Sequence, residues 1–464
     1  MNTLLLRGGR VVDPASGLDQ TADVLLQEGR VAAVAPCIAP PPDIPVLDVA
    51  GHVVCPGLID LHVHLREPGQ THKEDTHSGA LAAARGGFTT VVCMPNTRPA
   101  VDNSGTVALI QDRAQGAAVR VEVSGALTRS IAGEELAPIG ALAKAGVVAL
   151  TDDGHCIQNN DLMRRACEYA RMFDLPVMDH CQDYGLVADG VMHEGLHSAV
   201  LGLRGWPASG EEIIVARNIV LAELTGTPIH CQHLSAAGSV RLLREARARN
   251  VPVSGEACPH HFTLTDAALS GSEVFWNGDG ACLAAAFFGG QPLPAWPAYH
   301  THFKMNPPLR SAADRAAILD GLADGTLAII ASDHAPHTDS DKDVEFDQAP
   351  FGIVGLEVEL ALSLMALLHS GRLPLPELLA KLTCQPARLL NLRDGRGELR
   401  VGGPADVTVF HPDREWTCDR SDTASRSRNN PFHGWRLRGR PVLTVVGGRV
   451  AWRDPELPEP VQTP

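Results

Sequence analysis

The chain has 464 residues, 44% of them hydrophobic and 20% charged, which favours a packed globular protein over a disordered one. Its formal net charge of −15 lacks the basic footprint that nucleic acid demands, and no apolar run approaches the ~20 residues of a membrane span. Eleven scattered cysteines without a CxxC pair do not form a secreted disulfide framework, so most of the thiols are expected to be reduced and buried.

The N-terminal segment turns polar after Leu4-Leu5-Leu6, too soon for a signal-peptide core, and a cytoplasmic protein is expected. Residues 1–55 read as β-structure. Apolar runs at 3–6, 22–26, 31–35 and 45–54 are separated by Gly-containing turns such as Arg7-Gly8-Gly9-Arg10 and Glu28-Gly29-Arg30. The C-terminal residues 393–464 have the same texture, with strand-like 405–410 and 443–450. Gly8-Gly9-Arg10-Val11-Val12 is echoed by Gly447-Gly448-Arg449-Val450-Ala451. Neither end can bury a core alone, so the two are expected to meet in one small β-sandwich domain.

Residues 56–392 change rhythm. Eight strand candidates, at 58–64, 89–96, 119–127, 147–154, 176–183, 228–235, 251–262 and 327–337, alternate with helical stretches such as 104–115, 160–174, 211–225 and 237–249. That alternation predicts a (β/α)8 TIM-type barrel. The stretch 271–303, rich in Gly, Pro and aromatics, interrupts the pattern between strands seven and eight. It reads as a surface excursion or, slightly favoured, a lid over the site.

Chemistry gathers at the strand ends. His62 and His64 close strand one two residues apart, so they share a face and can grip one metal; Arg66 follows, suited to holding a carboxylate. Asp153 ends strand four, His180 strand five, His233 strand six and Asp333 strand eight. In a barrel these ends form the catalytic face. His230 lies three residues from His233 and alternation sends it to the opposite face, as it does His334 beside Asp333. His260 and His261 read as supporting or packing residues; His52, His72, His77, His155 and His193 read as solvated. Asp153 and Asp333 supply carboxylate oxygens, and a carboxylate can bridge two neighbouring cations. No GxSxG, P-loop or dinucleotide fingerprint offers another catalytic system.

The run Asp60-Leu61-His62-Val63-His64-Leu65-Arg66-Glu67-Pro68-Gly69 resembles the amidohydrolase superfamily and, within it, the class I dihydroorotases. So do Met94-Pro95-Asn96, Thr151-Asp152-Asp153-Gly154, Asp179-His180-Cys181, His233-Leu234-Ser235, Lys304-Met305-Asn306-Pro307-Pro308-Leu309-Arg310, Ser332-Asp333-His334-Ala335-Pro336-His337 and Pro350-Phe351-Gly352-Ile353. The resemblance implies two zinc ions per subunit: His62, His64 and Asp333 on one, His180 and His233 on the other, Asp153 bridging. Many superfamily members bridge with a carboxylated lysine, and this chain has no lysine on strand four. It further implies reversible cyclisation of N-carbamoyl-L-aspartate to L-dihydroorotate in pyrimidine biosynthesis. A bridging hydroxide would be the nucleophile and Asp333 the general base and acid. Arg66, Asn96 and His337 would clamp the substrate carboxylate; Asn306 and the backbone around Phe351 and Gly352 would meet the ring amides, and His64 would also touch the substrate. A homo-oligomer is expected, and docking on aspartate carbamoyltransferase is a partner reading for the family. The stretch 271–303 is longer than the family pattern. The rival readings are an allantoinase or hydantoinase, against which Asp153 and the HxHxR-E-P-G run argue, and an inactive scaffold subunit, against which the complete ligand set argues.

Overall fold

The computed structural model describes residues 3–40 and 43–462; residues 1, 2, 41, 42, 463 and 464, which the terminal β-regions 1–55 and 393–464 also take in, lie outside it. Eight parallel strands form the barrel: Leu58–Val63, Phe88–Cys93, Arg120–Gly125, Ala149–Leu150, Val177–Asp179, Ile229–Cys231, Val253–Ala257 and Ile329–Ile330, in chain order around the sheet. A parallel bridge between Val63 and His334 joins the last strand's extension to the first. The strands are largely buried on both faces, because helices such as Ser104–Arg113, Asn160–Arg171, Ser209–Thr225 and Ala237–Ala248 cover them outside while side chains fill the barrel inside.

The two chain ends do meet. Val407–Thr417 runs antiparallel to Val53–Pro56, pairing Val407 with Pro56 and Val409 with Val54, and this joins N- and C-terminal strands in one mixed nine-stranded sheet. Alternation along Thr3–Asp13 sends Leu4 and Leu6 into one apolar cluster and Leu5 into another, so both faces of this sheet are covered. No helix among the described residues is long and apolar enough to cross a membrane.

Several local expectations need correction. Gly8-Gly9 does not turn the chain: Thr3–Asp13 is one strand with a register shift between Leu6 and Gly9, where Gly8 takes a left-handed φ of 74° and makes a bulge. Its echo, Gly447-Gly448, is a true two-residue hairpin turn, as is Glu28-Gly29, with positive φ at both central positions of each. The run 45–54 is two strands, Pro45–Asp48 and Val53–Pro56. The seventh barrel strand stops at Ala257, because Pro259 starts a helical turn over Pro259–Thr263.

The 271–303 stretch is not a lid. Short helices there pack Phe275, Trp276 and Phe288 against Trp435 and Phe432 of the C-terminal segment, with ring centroids 5.0 Å apart for Trp276 and Trp435. None of its residues lines the cavity at the strand ends. Its aromatics are anchors for a docked surface module.

Candidate metal centre and pocket

Asp153 stands at the middle of the site with its two oxygens facing different partners. Oδ2 lies 3.4 Å from Nε2 of both His62 and His64; Oδ1 lies 3.3 Å from His180 Nδ1 and 3.4 Å from His233 Nε2. Asp333 Oδ1 completes the first group, 3.1 Å from His64 Nε2 and 3.6 Å from His62 Nε2. A tetrahedral zinc with ligands ~2.0–2.1 Å away has ligand–ligand edges of about 3.3–3.4 Å. The donors are therefore spaced for two ions sharing one carboxylate. His62 Nε2 and Asp153 Oδ1 are buried polar atoms without a hydrogen-bond partner, which is what a set of metal donors looks like without its metal. These residues fit the two-metal centre.

The ring nitrogens not aimed at the centre are held. His62 Nδ1 donates to Glu256 Oε1 at 2.8 Å, and His64 Nδ1 to Asn96 Oδ1 at 2.9 Å. His180 is turned the other way: its Nε2 donates to Gln182 Oε1 at 2.9 Å and Nδ1 faces Asp153. Such outer partners select which nitrogen carries the lone pair toward a metal. Glu256 also accepts from His230 Nε2 at 3.1 Å and from the His233 backbone N–H at 3.1 Å, tying both halves of the centre to one buried carboxylate. Burial alone would favour a neutral Asp153, yet His62, His180 and His233 hold its carboxyl well below the usual range.

Backbone geometry brings in what strand alternation cannot. The first barrel strand ends at Val63, so Arg66 reaches the site by a left-handed turn, φ 60°, rather than by sharing a strand face with His64. His233 (φ 33°) and Asp333 (φ 46°) also have positive φ, and such unusual backbone concentrates at functional sites. The expectation that His334 points away agrees with its position, but that for His230 is corrected: His230 faces into the barrel beneath the centre, and His233 reaches the centre through its left-handed backbone, not by alternation. His230 bonds Ser254 and Glu256, and His334 Nε2 lies 3.5 Å from Glu74.

Above the centre lies a cavity of about 350 Å³. Its walls carry His64, Arg66, Asn96, Asn306, Asp333, His337, Phe351 and Gly352, together with Asp153, His180 and His233. Arg66 is half-buried in the pocket wall and forms no ion pair among the described residues. Its Nε donates to the Pro336 carbonyl at 3.2 Å, and burial lowers its pKa only to about 10, so it remains a cation. A partly desolvated guanidinium facing a pocket without a counter-ion is suited to receive an anionic group there.

Beside it, burial first, then Arg66, Lys342 and Lys73, keep His337 neutral. Its Nε2–H donates to the Phe351 carbonyl at 2.8 Å, and its Nδ1 accepts from Lys73 Nζ at 3.2 Å. Asn306 Nδ2 donates to Gln182 at 3.2 Å, leaving Oδ1 buried and unpartnered as an acceptor. Gly352 has φ 127°, and an added Cβ would stand 2.7 Å from Ala335 Cβ, so the pocket wall requires glycine there.

Sequence reasoning missed Glu256, Gln182, Lys73 and Lys342. Gln182 carried a signal, lying two residues beyond His180 at a strand end; the others carried none. A third buried group, Cys258, His260 and His261, also brings possible donors together. It has no carboxylate, and burial keeps the Cys258 thiol protonated, so it presents no standing negative charge to a cation.

Residues 51–239 match the family model described as dihydro-orotase-like, and residues 209–451 match that of the amidohydrolase family. The dihydroorotase of Pelotomaculum thermopropionicum is 48% identical over 451 residues, covering 97% of this chain and 99% of that one. That of Citrifermentans bemidjiense is 46% identical with the same coverage. Among solved structures, the L-hydantoinase (dihydropyrimidinase) from Arthrobacter aurescens superposes with a TM-score of 0.82 at 22% identity, covering 99% of this chain and 98% of that one. The dihydropyrimidinase from Brevibacillus agri gives 0.81 at 21%, covering 98% and 96%. At those identities the likeness is one of fold.

Proposed function

This chain belongs to the dihydroorotase family of amidohydrolases, and on that premise we propose that it interconverts N-carbamoyl-L-aspartate and L-dihydroorotate at a centre of two zinc ions. The observation that carries the reading is the split of Asp153, one oxygen to each histidine pair, beneath a cavity with an uncompensated Arg66.

Zinc, when bound, supplies Lewis acidity: it lowers the pKa of water and polarises a carbonyl. His62, His64 and Asp333 would hold one ion, His180 and His233 the other, with Asp153 between them. In the hydrolytic direction water adds to the ring amide carbonyl and the carbon–nitrogen bond breaks. Asp333 accepts the proton from the water and delivers it to the departing nitrogen, and the same carboxyl works in reverse for cyclisation. Arg66 pairs with the substrate carboxylate, helped by the Asn96 amide nitrogen, whose oxygen is already engaged with His64. His337 braces the Phe351 carbonyl, which shapes the wall facing the ring. Asn306 Oδ1 accepts an N–H of the substrate.

The two-metal reading is tested by stripping the protein with a chelator, restoring zinc stepwise, and following both directions of the reaction. Activity that rises to a plateau at two zinc ions per chain is expected. Full activity in metal-free protein would refute it.

A further inference from the structure

Lys342, one of five lysines in the chain, holds its ammonium between two walls of the pocket, where Lys304 also sets its own ammonium 4.6 Å from the Phe351 ring centroid. It ends the short helix Asp339–Lys342 and is 3% exposed. Its Nζ donates to the carbonyls of Pro350 at 2.7 Å, Lys304 at 3.2 Å and Thr301 at 3.2 Å. An ammonium has three N–H donors, and here each has a carbonyl. No carboxylate lies within ion-pair distance of it among the described residues.

The three carbonyls are not scattered. Pro350 directly precedes Phe351 and Gly352, while Lys304 lies two residues before Asn306. The Lys304 carbonyl also accepts from the Gly352 backbone N–H at 3.0 Å. One cation therefore joins the two segments that carry the substrate contacts away from the metal centre.

We propose that Lys342 is a positioning residue for the reaction, clamping the 304–306 and 350–352 walls at the separation the ring of the substrate needs. The inference rests on the dihydroorotase reading and deepens it. A neutral amine has only two N–H groups and a lone pair, so deprotonation leaves one carbonyl without a donor and sets the lone pair against oxygen. Burial first, then Lys304 and Arg66, with Lys73 adding and Asp341 opposing, bring its pKa down to about 7. His300, His302 and His337 also face it, and all three have depressed pKa values. The clamp is thus complete below neutrality and loosens as pH rises through that range.

With so few lysines, uniform 13Cε-lysine labelling of the whole metal-loaded protein gives five resolvable signals, and Lys342→Met assigns one. The expected result has two parts. The Lys342 signal titrates well below that of exposed Lys144, and the wild-type KM for dihydroorotate rises with the same midpoint as the Lys342 signal. Lys342→Met raises KM by about 10–100-fold at low pH, with bound zinc unchanged and kcat falling far less. If the variant does not fold, the wild-type titration and KM profile still decide the matter. A Lys342 signal titrating near the ordinary lysine value, a KM that does not follow it, or a folded Lys342→Met with wild-type KM would each overturn the proposal while leaving the dihydroorotase reading standing. A wild type that never turns over dihydroorotate would remove both.

Discussion

His62 donates its Nδ1 proton to Glu256 Oε1 at 2.8 Å, and this bond turns Nε2 toward Asp153. The same carboxylate receives His230 and the backbone of His233. Glu256→Gln keeps the volume but cannot accept equally from all three. Metal affinity should fall about 10–100-fold, the usual cost of losing such a partner. Equilibrium dialysis against a graded zinc buffer measures it, and unchanged affinity would mean that Glu256 serves packing alone.

Asp333 approaches His64 Nε2 at 3.1 Å and lines the cavity, where it can both hold metal and carry the proton. Asp333→Asn should lose about 10²–10⁴ in kcat, with additional loss if metal is disturbed, while substrate still binds. Single-turnover assays beside a binding titration separate the two. Turnover within tenfold of wild type would remove Asp333 from proton transfer.

In the proposed centre Asp153 carries the bridging charge on its own side chain, so no lysine would first have to be carboxylated. Apo-protein given zinc in degassed, bicarbonate-free buffer should regain full activity. A requirement for added bicarbonate would show that the bridge has been misassigned.

These tests also mark how much was legible beforehand. The barrel was readable because eight apolar runs alternate with amphipathic stretches, and the candidate donor cluster because His62, His64, Asp153, His180, His233 and Asp333 all end such runs. Alternation failed past Val63, where Arg66 enters through a left-handed turn that no period-two rule describes. Glu256 and Lys342 gave no signal, since each gains its role from atoms far away in sequence: Glu256 from residues 62, 230 and 233, Lys342 from 301, 304 and 350. The aromatics of 271–303 read as a lid because composition does not say which way a surface excursion folds. Trp435, supplied by the distant C-terminal segment, decides that.

Arg66 is a planar donor set beside a pocket, and lysine cannot reproduce its two parallel hydrogen bonds to a carboxylate. Losing such a contact costs on the order of 2–5 kcal/mol. Arg66→Lys should lower kcat/KM for dihydroorotate by tens to thousands of fold with zinc content unchanged. Near-normal turnover would indicate that the carboxylate is held elsewhere.

The central claim is that this two-metal centre is built for a ring bearing a carboxylate. Dihydrouracil is dihydroorotate without that group, so the ratio of kcat/KM for the two rings, measured on the same zinc-loaded protein, tests the claim most directly. A preference for dihydroorotate of at least tens of fold, abolished in Arg66→Lys, is the predicted result. Equal or faster opening of dihydrouracil would contradict the account and place the protein's activity with the hydantoinase-type enzymes whose fold it shares.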